Sequence, residues 1–308
     1  MLLIGGMFCL FYIRIEMIMA DRKADSEATQ KRARESHVEL MSTDLELCNQ
    51  ADYILSIAPQ KDTRAIADRV IAAVTDPDFM FVERKNPLYF LDLNAVSPRT
   101  ARDAYEHFAS SAPAIKVIDG GIVGSPPKLK DDGKWFCPGF VVSGPHRLHE
   151  APISGEHLAK TLKVSHINDH IGSASGVKMC FAAIHKGFTA LATQSLTAAH
   201  NLGVMSELQG YLETSPLGSY VNSGLPTMPP KAYRWVQEME EIAYTFEQDG
   251  GFSREESIFR PIGQVYELVA NGTELGKEQT DDRKRGKTAE DVAALTSAGI
   301  EKRKLKTE

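Results

Sequence analysis

The sequence has no excess of basic residues: 35 Lys and Arg stand against 41 Asp and Glu, a formal net charge of −6. A chain-wide basic field for nucleic acid is thereby excluded. Cysteine is scarce, and Cys9, Cys48, Cys137 and Cys180 stand far apart. No pair has C-x-x-C spacing and none sits in a Cys/His cluster, which argues against a metal site or a disulfide framework. Reduced, buried thiols and a cytoplasmic location are the expectation. Long apolar runs are missing as well. Met1–Ile13 is almost wholly apolar, but Arg14 and Glu16 interrupt it before it reaches bilayer length. It also lacks the basic start of a signal peptide. An apolar first strand is the expectation, with membrane tethering as the alternative. There is no internal repeat, and no glycine between Gly6 and Gly120.

What is present is an ordinary globular composition, 43 % hydrophobic and 25 % charged over 308 residues. That length allows a full core and suggests two domains or one large one. Ser26–Arg34 reads as a helix behind a capping serine, Val38–Leu40 as a short edge strand, and Ser42–Cys48 as a helical turn or two. Tyr53–Ile57 is a short apolar run suited to a strand buried on both faces. Asp62–Val74 spaces Ile66, Val70, Ile71 and Val74 along one helical stripe. Tyr89–Leu93, Ile115–Asp119 and Phe140–Gly144 read as further strands, and Pro98–Ser110 as a helix with proline at its first position. This alternation predicts a parallel α/β sheet with ligands beyond the strand ends, so Ala58-Pro59, Asn94-Ala95 and Gly120–Ser125 are expected along one rim. After about Gly172 strand signals fade. Lys178–Gly203 and Tyr233–Gln248 read as helices of a second domain, and the charged last thirty residues as a solvated helix with a frayed end.

Three motifs carry chemistry. In Gly172-Ser173-Ala174-Ser175-Gly176-Val177-Lys178, small residues let a helix start pack closely. Lys178 is then either a snorkelling side chain or a general base whose pKa is lowered by burial. Ala182 and His185 share its helical face, whereas Lys186 points elsewhere. In Asp119–Pro127, glycines at a strand end either leave N–H groups for an anion or make a plain turn. In Asp92–Pro98, Ser97 suits a helix cap, while Asn94 is an unexplained polar side chain at the rim.

Taken together these motifs resemble the β-hydroxyacid dehydrogenase superfamily, which includes 6-phosphogluconate and 3-hydroxyisobutyrate dehydrogenases. The resemblance is closest to the branch with a C-terminal phosphogluconate-dehydrogenase NAD-binding domain, and it covers about residue 25 to the C-terminal region. It implies a Rossmann-like domain, residues 1–168, followed by an all-helical domain, 169–308. It implies NAD(P)-dependent hydride transfer on a small hydroxy acid or related carbonyl compound, in a homodimer formed through the helical domain. Lys178 matches the family's proton-transferring lysine. Gly121, Val123, Gly124 and Ser125 match the substrate-binding turn, with His185 added from the shared helix face. Ile57, Ala58, Pro59 and Asn94 fall where the family lines the cofactor.

Two departures shape the expectation. Ala182 stands where better-known members carry asparagine, and Val123-Gly124-Ser125 replaces a Ser-Gly-Gly turn. At the N-terminus, Leu2-Leu3-Ile4-Gly5-Gly6 resembles a first strand and the start of a phosphate loop, but the remaining glycine of G-x-G-x-x-G is missing. The first βα unit therefore reads as truncated or replaced. Gly5 and Gly6 remain its cofactor candidates. Arg22 and Lys23 sit where a second strand ends, a place where cations meet a 2′-phosphate, which points to NADP over NAD. The alternative is a non-catalytic remnant that keeps the fold and has lost cofactor binding.

Overall fold

A computed structural model describes residues 2–3, 18–19, 27–35, 37–80, 85–125, 127–280 and 282–305. The chain divides into two compact units, Met1–Met179 and Cys180–Glu308.

The first unit is built on one eight-stranded sheet. Its elements in chain order are β1 (Leu2–Leu3), β2 (Ile18–Met19), α1 (Glu27–Glu35), β3 (Glu39–Leu40), α2 (Asp44–Gln50), β4 (Tyr53–Ser56), α3 (Thr63–Val74), β5 (Tyr89–Asp92), α4 (Pro98–Ser111) and β6 (Lys116–Val123). A two-stranded hairpin follows, β7 (Lys128–Leu129) and β8 (Trp135–Phe136), then β9 (Gly139–Ser143), α5 (Gly155–Thr161) and β10 (Val164–His166). The sheet order is β10-β9-β6-β5-β4-β1-β2-β3. β1 pairs in parallel with both β4 and β2, and β3 is the outer edge strand. The run from β3 to β6 is the order of a Rossmann sheet, in which direction of winding reverses between β1 and β4. Fourteen residues join Leu3 to Ile18, within the dozen or more that a parallel crossover takes.

β9 and β10 depart from the expected parallel sheet. β9 returns antiparallel to β6, because only a hairpin joins them and a parallel return needs a crossover. Period-two alternation feeds two cores. Ile54, Phe90 and Val117 join Cys48, Ile66, Val70 and Phe108 on the face covered by α2, α3 and α4. Leu55, Leu91 and Ile118 join Phe140, Val142, Leu148 and Leu158 on the other. Thr43 caps α2 through Glu46 N–H, and Ser97 caps α4 through Thr100 N–H as its position suggested.

A thirty-residue helix, α6 (Ser173–Leu202), begins in the first unit and continues in the second. It starts at Ser173, earlier than expected, because the small residues ahead of Lys178 are themselves helical. The second unit adds α7 (Met205–Glu213), α8 (Pro216–Gly224), α9 (Ala232–Gln248), α10 (Phe259–Gly272) and α11 (Ala289–Lys304). Met239, Ile242 and Ala243 of α9 and Tyr266 and Val269 of α10 form its fully buried centre. α11 corrects the expectation of a solvated tail helix. It buries Ala289, Val292, Ala293, Thr296 and Gly299. A Cβ on Gly299 would come within 2.6 Å of the Gly272 carbonyl, so small residues rather than large apolar ones make this contact, and hydropathy patterning misses it. Among the described residues no helix is long and apolar enough to cross a membrane.

Candidate functional site

Each of four apolar strand runs ends in a small polar or acidic residue. Strand register brings these together: Ser56 pairs with Asp92, Asp92 with Asp119, and Asp119 with Ser143. The result is a buried polar row across four adjacent strands, each member at most 5 % exposed. Buried polar groups need partners, and these partners shape the rim.

At one end the row holds Asn94. Its Nδ2 donates to Ser56 Oγ at 2.8 Å and Asp92 Oδ1 at 2.7 Å, and its Oδ1 accepts from Ala58 N–H at 2.6 Å. Asn94 N–H also donates to Asp92 Oδ1, at 3.1 Å. The turn Ile57–Pro59, leaving β4 beside β1, is therefore clamped by a buried asparagine. Burial pushes the Asp92 carboxyl up to about 6; the Asn94 donors oppose that rise and the charge of Asp119 adds to it.

At the other end the row holds the start of α6. Asp119 Oδ2 accepts from the N–H groups of Gly172, Ala174 and Ser175 at 2.9, 3.1 and 3.2 Å, and from Ser143 Oγ at 2.8 Å. Its Oδ1 accepts from Ser175 Oγ at 2.5 Å. The Ser143 hydroxyl in turn accepts from Ala174 N–H at 2.9 Å. A carboxylate here satisfies donors that a helix start leaves open and lies at the positive end of its dipole. Gly172, at φ +98°, makes the turn into the helix where a side chain would meet Pro98 and Arg102 at 3.1 Å. Asp92 and Asp119 lie in motifs that the sequence singles out, but the row itself emerges only from strand register. Its signal is the polar residue closing each strand run: Ser56, Asp92, Asp119, Ser143.

This anchoring places Lys178. Its Cβ and Cγ lie 2.8 and 3.3 Å from where a Cβ on Gly121 would be, so only glycine lets α6 approach β6 this closely. Lys178 Nζ donates to the Ile122 carbonyl at 2.6 Å. The Gly120-Gly121 pair is neither a turn nor an open anion cradle. β6 runs through it to Val123 and pairs Gly120 with Val142 and Gly121 with Val141 of β9. The turn comes later, at Gly124 with φ +117° and exposed Ser125. Lys178 and Gly121 are thus brought together in the first unit, with Val123, Gly124 and Ser125 following along the same strand exit.

His185 belongs to the second unit. Its ring meets Tyr220 edge-on at 5.3 Å and Trp235 at 6.5 Å, and stacks at 6.4 Å from Phe181. Beside it, Lys186 is buried in an ion pair with Glu238, its ammonium 5.2 Å from the Trp235 ring centre. Burial lowers the Lys186 pKa and the Glu238 carboxylate opposes that change. Of the cysteines, Cys48 is buried as expected, but Cys137 is half-buried and Cys180 exposed. Among the described residues no cluster of His, Cys, Asp and Glu is placed to hold a metal ion. Gly5, Gly6, Arg22 and Lys23 lie outside the described residues.

Comparison with known proteins agrees with this architecture. The family "Domain of unknown function (DUF1932)" matches residues 199–269. No curated protein sequence matches the chain. Among solved structures, a conserved hypothetical protein from Sinorhizobium meliloti 1021 is 19 % identical at TM-score 0.55, over 92 % of this chain and 88 % of that one. The 3-hydroxyisobutyrate dehydrogenase of Mycobacterium tuberculosis, solved with L-serine, is 15 % identical at TM-score 0.56, over 92 % and 90 %. The 3-hydroxyisobutyrate dehydrogenase of Salmonella typhimurium is 13 % identical at TM-score 0.57, over 90 % of each chain. The chain has the fold of the 3-hydroxyisobutyrate dehydrogenase-like proteins, a Rossmann-like sheet followed by a helical domain.

Proposed function

We propose that this chain is an NAD(P)-dependent oxidoreductase of small hydroxy acids or related carbonyl compounds, with Lys178 as the proton-transfer group. The observation that carries the reading is the Asp119-anchored start of α6, which holds Lys178 against Gly121 at the exit of β6. Rossmann-like sheets bind their ligands outside the strand carboxyl ends, at the reversal between β1 and β4. Ile57–Pro59 border that reversal, which fits a nicotinamide cofactor; Gly5 and Gly6 belong to the segment that follows β1. Arg22 and Lys23, which follow β2, favour NADP. When bound, the nicotinamide accepts or returns the hydride.

The chain's own part is the proton. Lys178 Nζ takes it from the substrate hydroxyl in oxidation and gives it back to the carbonyl oxygen in reduction. Gly121, Val123, Gly124 and Ser125 border the substrate, and His185 is proposed to contribute from the same helix. Domains 1–168 and 169–308 remain the functional division we assign.

The glycine shortage before Gly120 favours a second reading, a remnant without cofactor binding. Titration with NADPH and NADH separates the two. Micromolar binding retained in Lys178→Ala, with turnover lost in that variant, supports the enzyme. A folded protein that fails to bind at millimolar cofactor leaves the remnant. We also propose a homodimer through the helical domain, supported by an exposed apolar stripe on α6.

A further inference from the structure

Between β6 and β9 the chain does not turn directly; it builds the β7–β8 hairpin. Lys128 pairs with Phe136 and Leu129 with Trp135. The tip is closed by Lys130 N–H to the Lys134 carbonyl at 2.8 Å and Gly133 N–H to the Lys130 carbonyl at 3.0 Å, with Gly133 at φ +75°. The hairpin folds back on Gly124, where an added Cβ would stand 3.7 Å from Pro138 and 4.0 Å from the Phe136 ring. Against it lies a groove of about 700 Å³ lined by Ser125, Pro127, Lys128, Leu129, Lys130, Asp131 and Phe136. Leu129 and Phe136 are exposed large apolar residues, an arrangement that marks a binding surface when it is contiguous.

We propose that the substrate is longer than a small hydroxy acid alone: this groove holds its distal end, an apolar chain ending in an anionic group. The inference rests on Lys178 being the reacting end of the site. Ser125 is shared between the groove and the turn that follows Val123. Ser125 follows Ile122, whose carbonyl holds Lys178, by three residues with the turn at Gly124 between them, so their separation is under the ~10 Å of a fully extended stretch. A chain of up to about eight carbons with C–C bonds of ~1.5 Å covers it. Pro127, Leu129 and Phe136 offer apolar wall. Lys128 and Lys130 outnumber Asp131, and neither lysine is ion-paired among the described residues, which selects an anionic end.

The test uses the full chain and tryptophan fluorescence, with Trp135→Phe to identify the hairpin signal. The probes are 3-hydroxybutyrate, 3-hydroxydecanoate and 3-hydroxydodecanedioate, each with and without NADPH. The ten-carbon acid is expected to bind at least tenfold more tightly than the four-carbon acid, and the dicarboxylate at least threefold more tightly again. Leu129→Ser with Phe136→Ser removes the gain with chain length. Lys128→Gln with Lys130→Gln removes only the gain from the second carboxylate. These are exposed side chains, and unchanged thermal unfolding confirms an intact fold. An affinity independent of chain length, or a gain that survives the Leu129/Phe136 pair, overturns the proposal. Lys178→Ala separates the two claims. It is expected to keep the binding pattern and lose turnover, so turnover that persists there counts against the lysine and leaves the groove result standing.

Discussion

Asp92 carries a pH signature that can be read without knowing a substrate. Its folded pKa is raised from 3.8 to about 6 by burial. The folded protein therefore retains a proton that the unfolded chain has already released. The associated stability is complete below about pH 4 and is lost as pH rises through about 6, because the raised carboxyl must ionise in a buried site. A shift of about two units corresponds to about 3 kcal/mol. Asp92→Asn is neutral at every pH and keeps an oxygen for the Asn94 donors. Its stability relative to the unmodified protein is expected to climb by up to about 3 kcal/mol between pH 4 and pH 7, measured by urea unfolding. A difference that stays flat across that range sinks the assignment. Gly121 gives a steric test at the same scale. Gly121→Ala sets a Cβ 2.8 Å from that of Lys178. Overpacking of this kind costs about 1–3 kcal/mol, and moving the lysine by a fraction of an ångström is expected to lower turnover by roughly tenfold or more. Gly120→Ala, which meets the Leu93 side chain instead, is expected to destabilise with a smaller loss of turnover.

Among the elements, the joint between β6 and α6 has the most to lose from one change. Asp119 accepts from three backbone donors and two hydroxyls there. Asp119→Ala leaves them in a buried site without that acceptor, and unsatisfied donors cost about 1–3 kcal/mol each. A loss of roughly 3 kcal/mol or more is expected, with Asp119→Asn costing about half because one oxygen remains. Chemical denaturation of the two variants side by side checks the order. The joint also shows how far the sequence could be read. The strands at Tyr53, Tyr89 and Lys116 and the helices at Thr63 and Pro98 follow from period and caps, and so does the turn to helix after Gly172. The paired glycines were visible too, but their meaning was not. Whether Gly120-Gly121 ends a strand or passes through it depends on β9, a partner twenty residues away. The same holds for Asn94, whose three partners come from β4, β5 and the following turn. Local pattern places such residues at a rim; only strand register says that one clamps the backbone and another makes room for a lysine.

At the scale of the whole molecule, the sidedness of α6 bears on assembly. Apart from Leu196, its buried face in the second unit is made mostly of small residues. Ala182, Ala183, Ala190 and Ala199 lie there, with Thr189, Thr193 and Thr197 donating their hydroxyls back to the carbonyls four residues earlier. Most of its large apolar residues lie on the other side. Phe181, Ile184, Leu191 and Leu202 are exposed, Ile184 by 77 %. With half-buried Phe188 and exposed Ser195 and Ala198, they repeat in alternating steps of three and four, the spacing of a helix-to-helix seam. A helix that turns alanines inward and Phe, Ile and Leu outward reverses the usual amphipathic arrangement. A second copy of the same seam is the partner that matches it residue for residue, as two-fold symmetry requires. Ile184→Glu is expected to convert a dimer to a monomer in light scattering after gel filtration, because it places a charge within the seam on both copies. Glu207→Gln, an exposed change on α7, serves as the control that leaves assembly unchanged. An unmodified chain that runs as a monomer at micromolar concentration refutes the seam as a self-association surface. A dimer that survives Ile184→Glu moves the interface to another face of the helical unit.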